Sequence, residues 1–146
     1  MKTKIKKDWY NREKCVEELH DDAIQWKSEI NFILDEMRFL EHLLGSNYID
    51  ILHKGMYKKI EMSVHKISRE KENGKELCDL INKQEAVLSQ LITHNSVTGN
   101  KNYLETHKNI QKEVSNYFYY YKEIKNEIFK IVEEVMREKE VKKLID

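Results

Sequence analysis

Histidines and carboxylates are the side chains in this sequence that could hold a metal ion or move a proton. Glu17 and His20 have the Glu-x-x-His spacing of di-iron helical bundles, and Asp50 and His53 repeat it with an aspartate. A two-metal centre needs such pairs at one height along the bundle. A hairpin that folds back near residue 46 puts His53 level with about residue 39, about 28 Å along the axis from His20. The spacing therefore predicts no bridged two-metal centre.

A single polar site near the middle of the molecule is the remaining possibility. The same hairpin places His20 level with Glu70 and Tyr121. A histidine bonded to a carboxylate or to a tyrosine hydroxyl satisfies buried polar groups without a metal, and we favour that interpretation over ligation. His20 and Glu70 are thus weak metal candidates, and we predict no cofactor. His107 lies on the inward stripe of its helix and is predicted to be a buried polar core residue.

The nucleophiles give little support for catalysis. Cys15 and Cys78 are predicted to lie close together across the first helix interface, because the hairpin places them at nearly the same height. We predict that both are free thiols rather than a disulfide, because a reducing cytosol is the expected compartment. Neither cysteine falls at a predicted helix N-terminus, where a thiolate would be stabilised. The sequence has no Gly-x-Ser-x-Gly, Walker loop, Cys-x-x-Cys or His-Glu-x-x-His motif. We therefore predict that the protein is not an enzyme.

Charge and hydropathy exclude two classes of partner. Lysine plus arginine equals aspartate plus glutamate at 26 each, so the basic excess of a nucleic-acid binder is missing. Four lysines near the start predict only a basic, frayed tail over residues 1–7. No apolar run approaches the roughly 18 residues of a membrane span, and the N-terminus lacks a signal-peptide core. We predict a cytoplasmic protein that binds neither nucleic acid nor membrane.

Apolar periodicity predicts the elements that must position these side chains. The chain has no proline, and apolar residues alternate at steps of three and four from Trp9 to Leu44 and again from Tyr103 to Val135. Such seams are typical of coiled-coil-like helices. Phe32, Phe39 and Leu43 are expected to widen the first seam, and Gly45 to end its helix in a left-handed cap. We predict one domain, 1–146, an all-α antiparallel bundle of three long helices at about 8–44, 47–94 and 101–141.

The middle helix is the uncertain part of this fold. Asn73-Gly74 is a turn signal, and a break there would give a four-helix bundle instead. The apolar stripes on either side of it share one register, however, and an unbroken helix matches its neighbours in length. We therefore favour a continuous helix. Folding about residue 97 then places Gly74 opposite Tyr119 to Tyr121, so that a missing side chain faces large ones.

The aromatic run from Tyr117 to Tyr121 covers the whole circumference of a helix, although one seam needs only its two ends. Tyr119 is expected to point outward, and Phe129 and Met136 share an outer face further along. Exposed aromatics with methionine indicate a surface for a protein partner or for self-association. Our first hypothesis is a non-catalytic interaction or scaffold bundle that acts with a protein partner or as a homo-oligomer. The alternative is a bundle that binds a metal or small ligand through a mid-bundle histidine and carboxylate.

A local pattern in the first helix adds a resemblance. Its residues are Leu19, His20, Trp26, Glu29, Ile30, Phe32, Asp35 and Glu36. This order resembles the first helix of a group of small, uncharacterised bacterial all-helical proteins. Members of that group often have a second histidine where this chain has Ala23. The resemblance implies a bacterial helical protein and carries no activity.

Overall fold

Four helices make up the computed structural model, which describes residues 15–93 and 101–145. They are α1 (Val16–Ser46), α2 (Tyr48–His53), α3 (Tyr57–Thr93) and α4 (Lys101–Ile145). The described residues include no strand, so the predicted all-α bundle of long helices is confirmed. The basic tail at 1–7, Trp9 and most of the predicted loop before Lys101 lie outside the described residues.

The first helix begins later than its seam suggests. Cys15 has an extended backbone, with φ −78° and ψ 170°, and is the N-cap of α1. Its backbone N–H donates to Glu18 Oε1 at 3.3 Å, so the carboxylate satisfies a donor that the helix leaves free. The prediction of a helix that continues unbroken through Cys15 is therefore wrong, and its part at 8–14 lies outside the described residues. The prediction that neither cysteine lies at a helix N-terminus is wrong for the same reason.

The turn between the first two long helices lies at Gly55 rather than at Gly45. Gly45 is inside α1, whereas Gly55 has φ +78°, the left-handed conformation that favours glycine. Gly55 N donates to Leu52 O at 2.9 Å, and Met56 N donates to Ile51 O at 3.2 Å. These two bonds, with Ile51 and Met56 both in the core, form a Schellman cap. The predicted helix over 47–94 is thus divided into α2 and α3.

The helix does not break at Asn73-Gly74. Gly74 is buried inside α3, and a Cβ built on it would lie 2.5 Å from Tyr117 Oη. The glycine therefore makes room for a tyrosine ring from α4, as the predicted complementarity requires. The continuous middle segment is confirmed here. The alternative four-helix bundle with a break at this point is wrong.

Contacts between the long helices set their relative heights. Gly74 meets Tyr117 and Lys66 Nζ pairs with Glu127 at 3.1 Å, within three residues of the predicted α3–α4 alignment. The α1–α3 alignment is wrong, because Lys27 bonds to Asn82 where the simple hairpin places residue 65. That difference is about 25 Å along the axis. Residues that the simple hairpin placed in the second long helix form α2 and its cap instead.

The core runs along the bundle axis in two parts. The larger cluster extends from Ala23 to Val135 and includes Ile30, Ile67 and Ile128. A smaller cluster of Leu19, Leu88 and Tyr103 lies at the end of the bundle near the start of α1. None of the described helices combines the length and the apolar character that a membrane span requires.

Candidate functional site

Side-chain pairs show which side of each helix faces which neighbour. The buried residues Ile30 of α1, Ile81 of α3 and Ile128 of α4 each occupy the a position of the heptad repeat of their helix. The e positions of α1 bond to α3, in the pairs His20–Glu85, Lys27–Asn82 and Glu41–Lys71. The g positions of α1 bond to α4, in the pairs Asp22–His107 and Glu36–Lys125. The c positions of α1 and the b positions of α4 therefore share the side of the bundle that faces away from α3.

A polar layer separates the two parts of the core. His107 is only 4% exposed, and its Nε2 donates to Asp22 Oδ2 at 2.9 Å. The Trp26 ring lies against the imidazole, with centroids 4.8 Å apart, and Tyr103 stacks on it at 6.3 Å. The predicted buried histidine is confirmed, and its polar edge is satisfied by a carboxylate from α1. Such a pair sets the alignment of α1 and α4 because an unpaired imidazole would be costly to bury.

The predicted pairing of His20 with Glu70 is wrong. His20 Nδ1 donates to Glu85 Oε2 at 2.8 Å, and the His20 side chain is half exposed. Glu85 and Glu70 are fifteen positions apart on α3, which is about 22 Å along a helix, so His20 and Glu70 cannot share an ion. Within residues 15–93 and 101–145, no three His, Cys, Asp or Glu side chains are grouped to hold a metal.

Glu70 instead belongs to a shallow notch between α3 and α4. It accepts a hydrogen bond from Asn73 Nδ2 at 3.2 Å, and burial raises the pKa of its carboxyl. The Tyr117 hydroxyl is buried beside Gly74 and has no hydrogen-bond partner among the described residues. Burial and the nearby Glu70 charge raise the pKa of Tyr117. Burial therefore raises the pKa of both polar groups in the notch.

Glu36, between α1 and α4, has a pKa shifted in the opposite direction from that of Glu70. Burial pushes the pKa of its carboxyl upward, but hydrogen bonds from Lys125 and Tyr121 outweigh it and leave the pKa below its ordinary value. The Lys125 Nζ lies 2.7 Å from Glu36 Oε1, and the Tyr121 hydroxyl donates to the same oxygen. This is a satisfied ion pair that attaches the middle of α1 to α4.

The two cysteines lie far apart, and the pKa of each thiol is raised. Cys15 is exposed at the N-cap of α1, whereas Cys78 is half-buried at the level of Lys27, twelve positions further along α1. That is about 18 Å along the axis, so the predicted proximity of the thiols is wrong. Burial raises the pKa of Cys78. At Cys15 a backbone hydrogen bond lowers the pKa. The bond to the Glu18 carboxylate and the neighbouring charges raise it by more, so the net shift is upward.

An apolar surface follows the groove between α1 and α4 and continues along α4 to the level of α2. We define it as the phenylalanine face, made of Phe32, Phe39, Phe118, Phe129 and Met136. These include all four phenylalanines of the chain. Phe32 is 64% and Phe39 58% exposed, so the prediction that they widen the buried seam is wrong. Phe118 packs on the core and lines a shallow pocket with Phe32.

The residues predicted for an interaction surface lie on or beside this face. Phe129 and Met136 are exposed, and both occupy b positions of α4. Tyr119 is exposed as well, in the neighbouring outward row. Sequence reasoning missed the contribution of α1, although Phe32 and Phe39 are seven residues apart and two residues after core positions. Both phenylalanines occupy c positions, which lie beside the acidic g positions of the same helix. This neighbouring charge was the signal that the two side chains lie outside the core.

Comparison with known proteins adds no relative. The chain matches no protein-family model, no curated protein and no solved structure. The resemblance of α1 to a bacterial group therefore stays a prediction.

Proposed function

We propose that this chain is a non-catalytic interaction bundle whose binding surface for another protein is the phenylalanine face. The observation that carries the proposal is the position of all four phenylalanines along one groove, with three of them exposed. Burying one such side chain is worth about 1.5–3 kcal/mol, so this face offers a large gain to a partner that covers it. Aromatic residues and methionine are enriched at protein interfaces.

Several further features support an interaction role over a chemical one. The pKa values of both thiols are raised, so both are poor nucleophiles at neutral pH. The Glu36–Lys125 pair lies about 21 Å along the axis from the Asp22–His107 pair, and His20 bonds to α3 whereas Asp22 bonds to α4, so the three pairs do not converge on one cavity. We also propose a bacterial, cytoplasmic setting. The two free thiols and the local likeness of α1 support it.

A site-specific photo-cross-linker tests the proposal. The cross-linking amino acid replaces Phe32 in one variant and Met62 in another, since Met62 is 59% exposed and lies in the α3–α4 groove. Both variants are irradiated in cells of the source organism. We expect a discrete cross-linked protein product from position 32 and much less from position 62. A product of twice the chain mass and a product with another protein both support the proposal. Equal or absent cross-linking at the two positions contradicts it.

A further inference from the structure

We infer that the phenylalanine face binds a second copy of this chain, in a parallel two-fold dimer in which α1 of each copy packs on α4 of the other. This inference rests on the proposed function and names the partner of the same face. Four observations lead to it, namely the charges of the two helices, the symmetry that those charges allow, the alignment of heights and the available area.

The two helices that border the face carry opposite charges. The c and g rows of α1 over residues 15–46 contain four carboxylates and no lysine or arginine: Glu18, Asp22, Glu29 and Glu36. Over the length of α1, up to residue 131, the b and e rows of α4 contain four lysines and no carboxylate: Lys101, Lys108, Lys122 and Lys125. The f row is the next row outward on each helix. In α1 it adds Asp21 and Asp35, whereas in α4 it has charges of both signs. Asp22 and Glu36 already pair with His107 and Lys125 within the chain, and the remaining charges leave the face acidic along α1 and basic along α4.

Symmetry turns this division of charge into a choice of geometry. Two copies that meet through one face are related by a two-fold axis in the plane of the interface. An axis across the helices would pack α1 on α1 and α4 on α4, placing carboxylates against carboxylates and lysines against lysines. An axis along the helices packs α1 on α4 of the other copy and joins opposite charges. Like charges across an interface are strongly unfavourable, so the parallel dimer is selected.

The heights of the side chains agree with this geometry. The pairs Asp22–His107 and Glu36–Tyr121 are both separated by 85 positions, which gives the level of any α1 residue on α4. An axis along the helices keeps heights equal between copies. Phe32 is therefore level with Phe118 of the other copy to within one residue. Asp35 comes within two residues of Lys122, about 3 Å along the axis. Apolar and charged pairs thus align together.

The available area suits a stable dimer. Helix α1 has 31 residues, which is about 46 Å at 1.5 Å per residue. Two adjacent helices present a face about 20 Å wide, given a helix diameter of about 10 Å. The product, about 900 Å², is close to the area of about 800 Å² that each partner contributes to a standard interface.

Reversing charges at Asp35 and Lys122 tests the dimer. Both side chains are exposed, and the partner of Asp35 within the chain is the equally exposed Arg38 at 3.6 Å. Asp35→Lys and Lys122→Glu each create two like-charge pairs in a homodimer, so each alone should weaken self-association by about tenfold or more. Mixing the two variants creates only opposite-charge pairs and should restore a heterodimer of wild-type affinity. Sedimentation equilibrium measures the mass, and circular dichroism confirms that each variant stays helical.

Matched controls make every outcome decisive. Glu72→Lys reverses an exposed charge on the far side of α3 and should leave the wild-type dimer mass unchanged. Asp21→Lys mixed with Lys108→Glu repeats the test near the end of the face and serves if the first pair fails to fold. A wild-type chain that sediments at 17.7 kDa overturns the dimer. So does a mixture that stays as weak as its components. In either case a cross-link from position 32 to a different protein would leave the proposed function standing.

Discussion

At the scale of single residues, Gly74 shows how a tertiary contact decides a residue type. Glycine inside a helix costs about 0.5–1 kcal/mol relative to alanine, so α3 alone would be more stable with a side chain there. A Cβ at this position would lie 2.5 Å from Tyr117 Oη and 3.2 Å from Leu34 Cδ2. Because α1 and α4 both close on the glycine, packing outweighs helix propensity.

Replacement of Gly74 by alanine should therefore destabilise the fold. We expect Gly74→Ala to lower the free energy of unfolding by about 1–3 kcal/mol, because the Tyr117 ring must move from a packed core. Adding Tyr117→Phe to the Gly74→Ala variant should reduce this loss, since it removes the hydroxyl oxygen that lies nearest to the new Cβ. Gly45→Ala is the matched control, because Gly45 is helical with no atom within 4 Å, and it should stabilise by up to about 1 kcal/mol. Urea unfolding measures all four proteins. Equal effects of the two glycine substitutions would exclude the packing argument.

At the scale of elements, the short helix α2 and its cap decide how the long helices align. The cap at Gly55 ends α2 and leads into α3, while α2 is attached to the far part of α4. Asp50 pairs with Lys139 at 2.6 Å, and Lys54 with Glu138 at 3.1 Å. Because α2 packs on α4 rather than extending α3, the α1–α3 pairing is displaced from that of a simple hairpin.

The left-handed cap gives a second prediction. Gly55→Ala should lower the free energy of unfolding by about 1–2 kcal/mol, because a Cβ is unfavourable at φ +78° even with open space around it. Gly55→Asn should cost less, since asparagine tolerates this conformation. Thermal and urea unfolding of both variants measure the difference. An alanine variant as stable as wild type would show that the turn adopts another conformation.

At the scale of the whole molecule, the polar layer divides the bundle into unequal parts. Leu19, Leu88 and Tyr103 form the small end cluster, and the bond between His107 and Asp22 lies between them and the main core. Burial raises the pKa of Tyr103 to about 12, as expected for a ring inside this cluster. The small cluster buries much less apolar surface than the main one, so it contributes less stability.

Hydrogen exchange should report this division. We expect amides of the end cluster, in the first turns of α1 and α4 and the last turns of α3, to exchange through local opening. Their protection should be lower than that of amides around Ile30, Ile67 and Ile128, which should need global unfolding. Native-state exchange at several denaturant concentrations separates the two classes. Uniform protection along all three long helices would mean that the bundle opens as one unit.

Apolar periodicity and residue type were enough to predict the all-α class, the inward stripes, the burial of His107, the exposure of Tyr119 and the alignment of α3 with α4. Contacts between helices were needed to establish the alignment of α1 with α3, and with it the partner of His20, the separation of the cysteines and the exposure of Phe32. The difference arises from the heptad repeat. A heptad pattern states which side of a helix faces inward, but a shift of one or two heptads leaves that pattern satisfied. The length and cap of the connecting turn therefore set the height at which side chains meet.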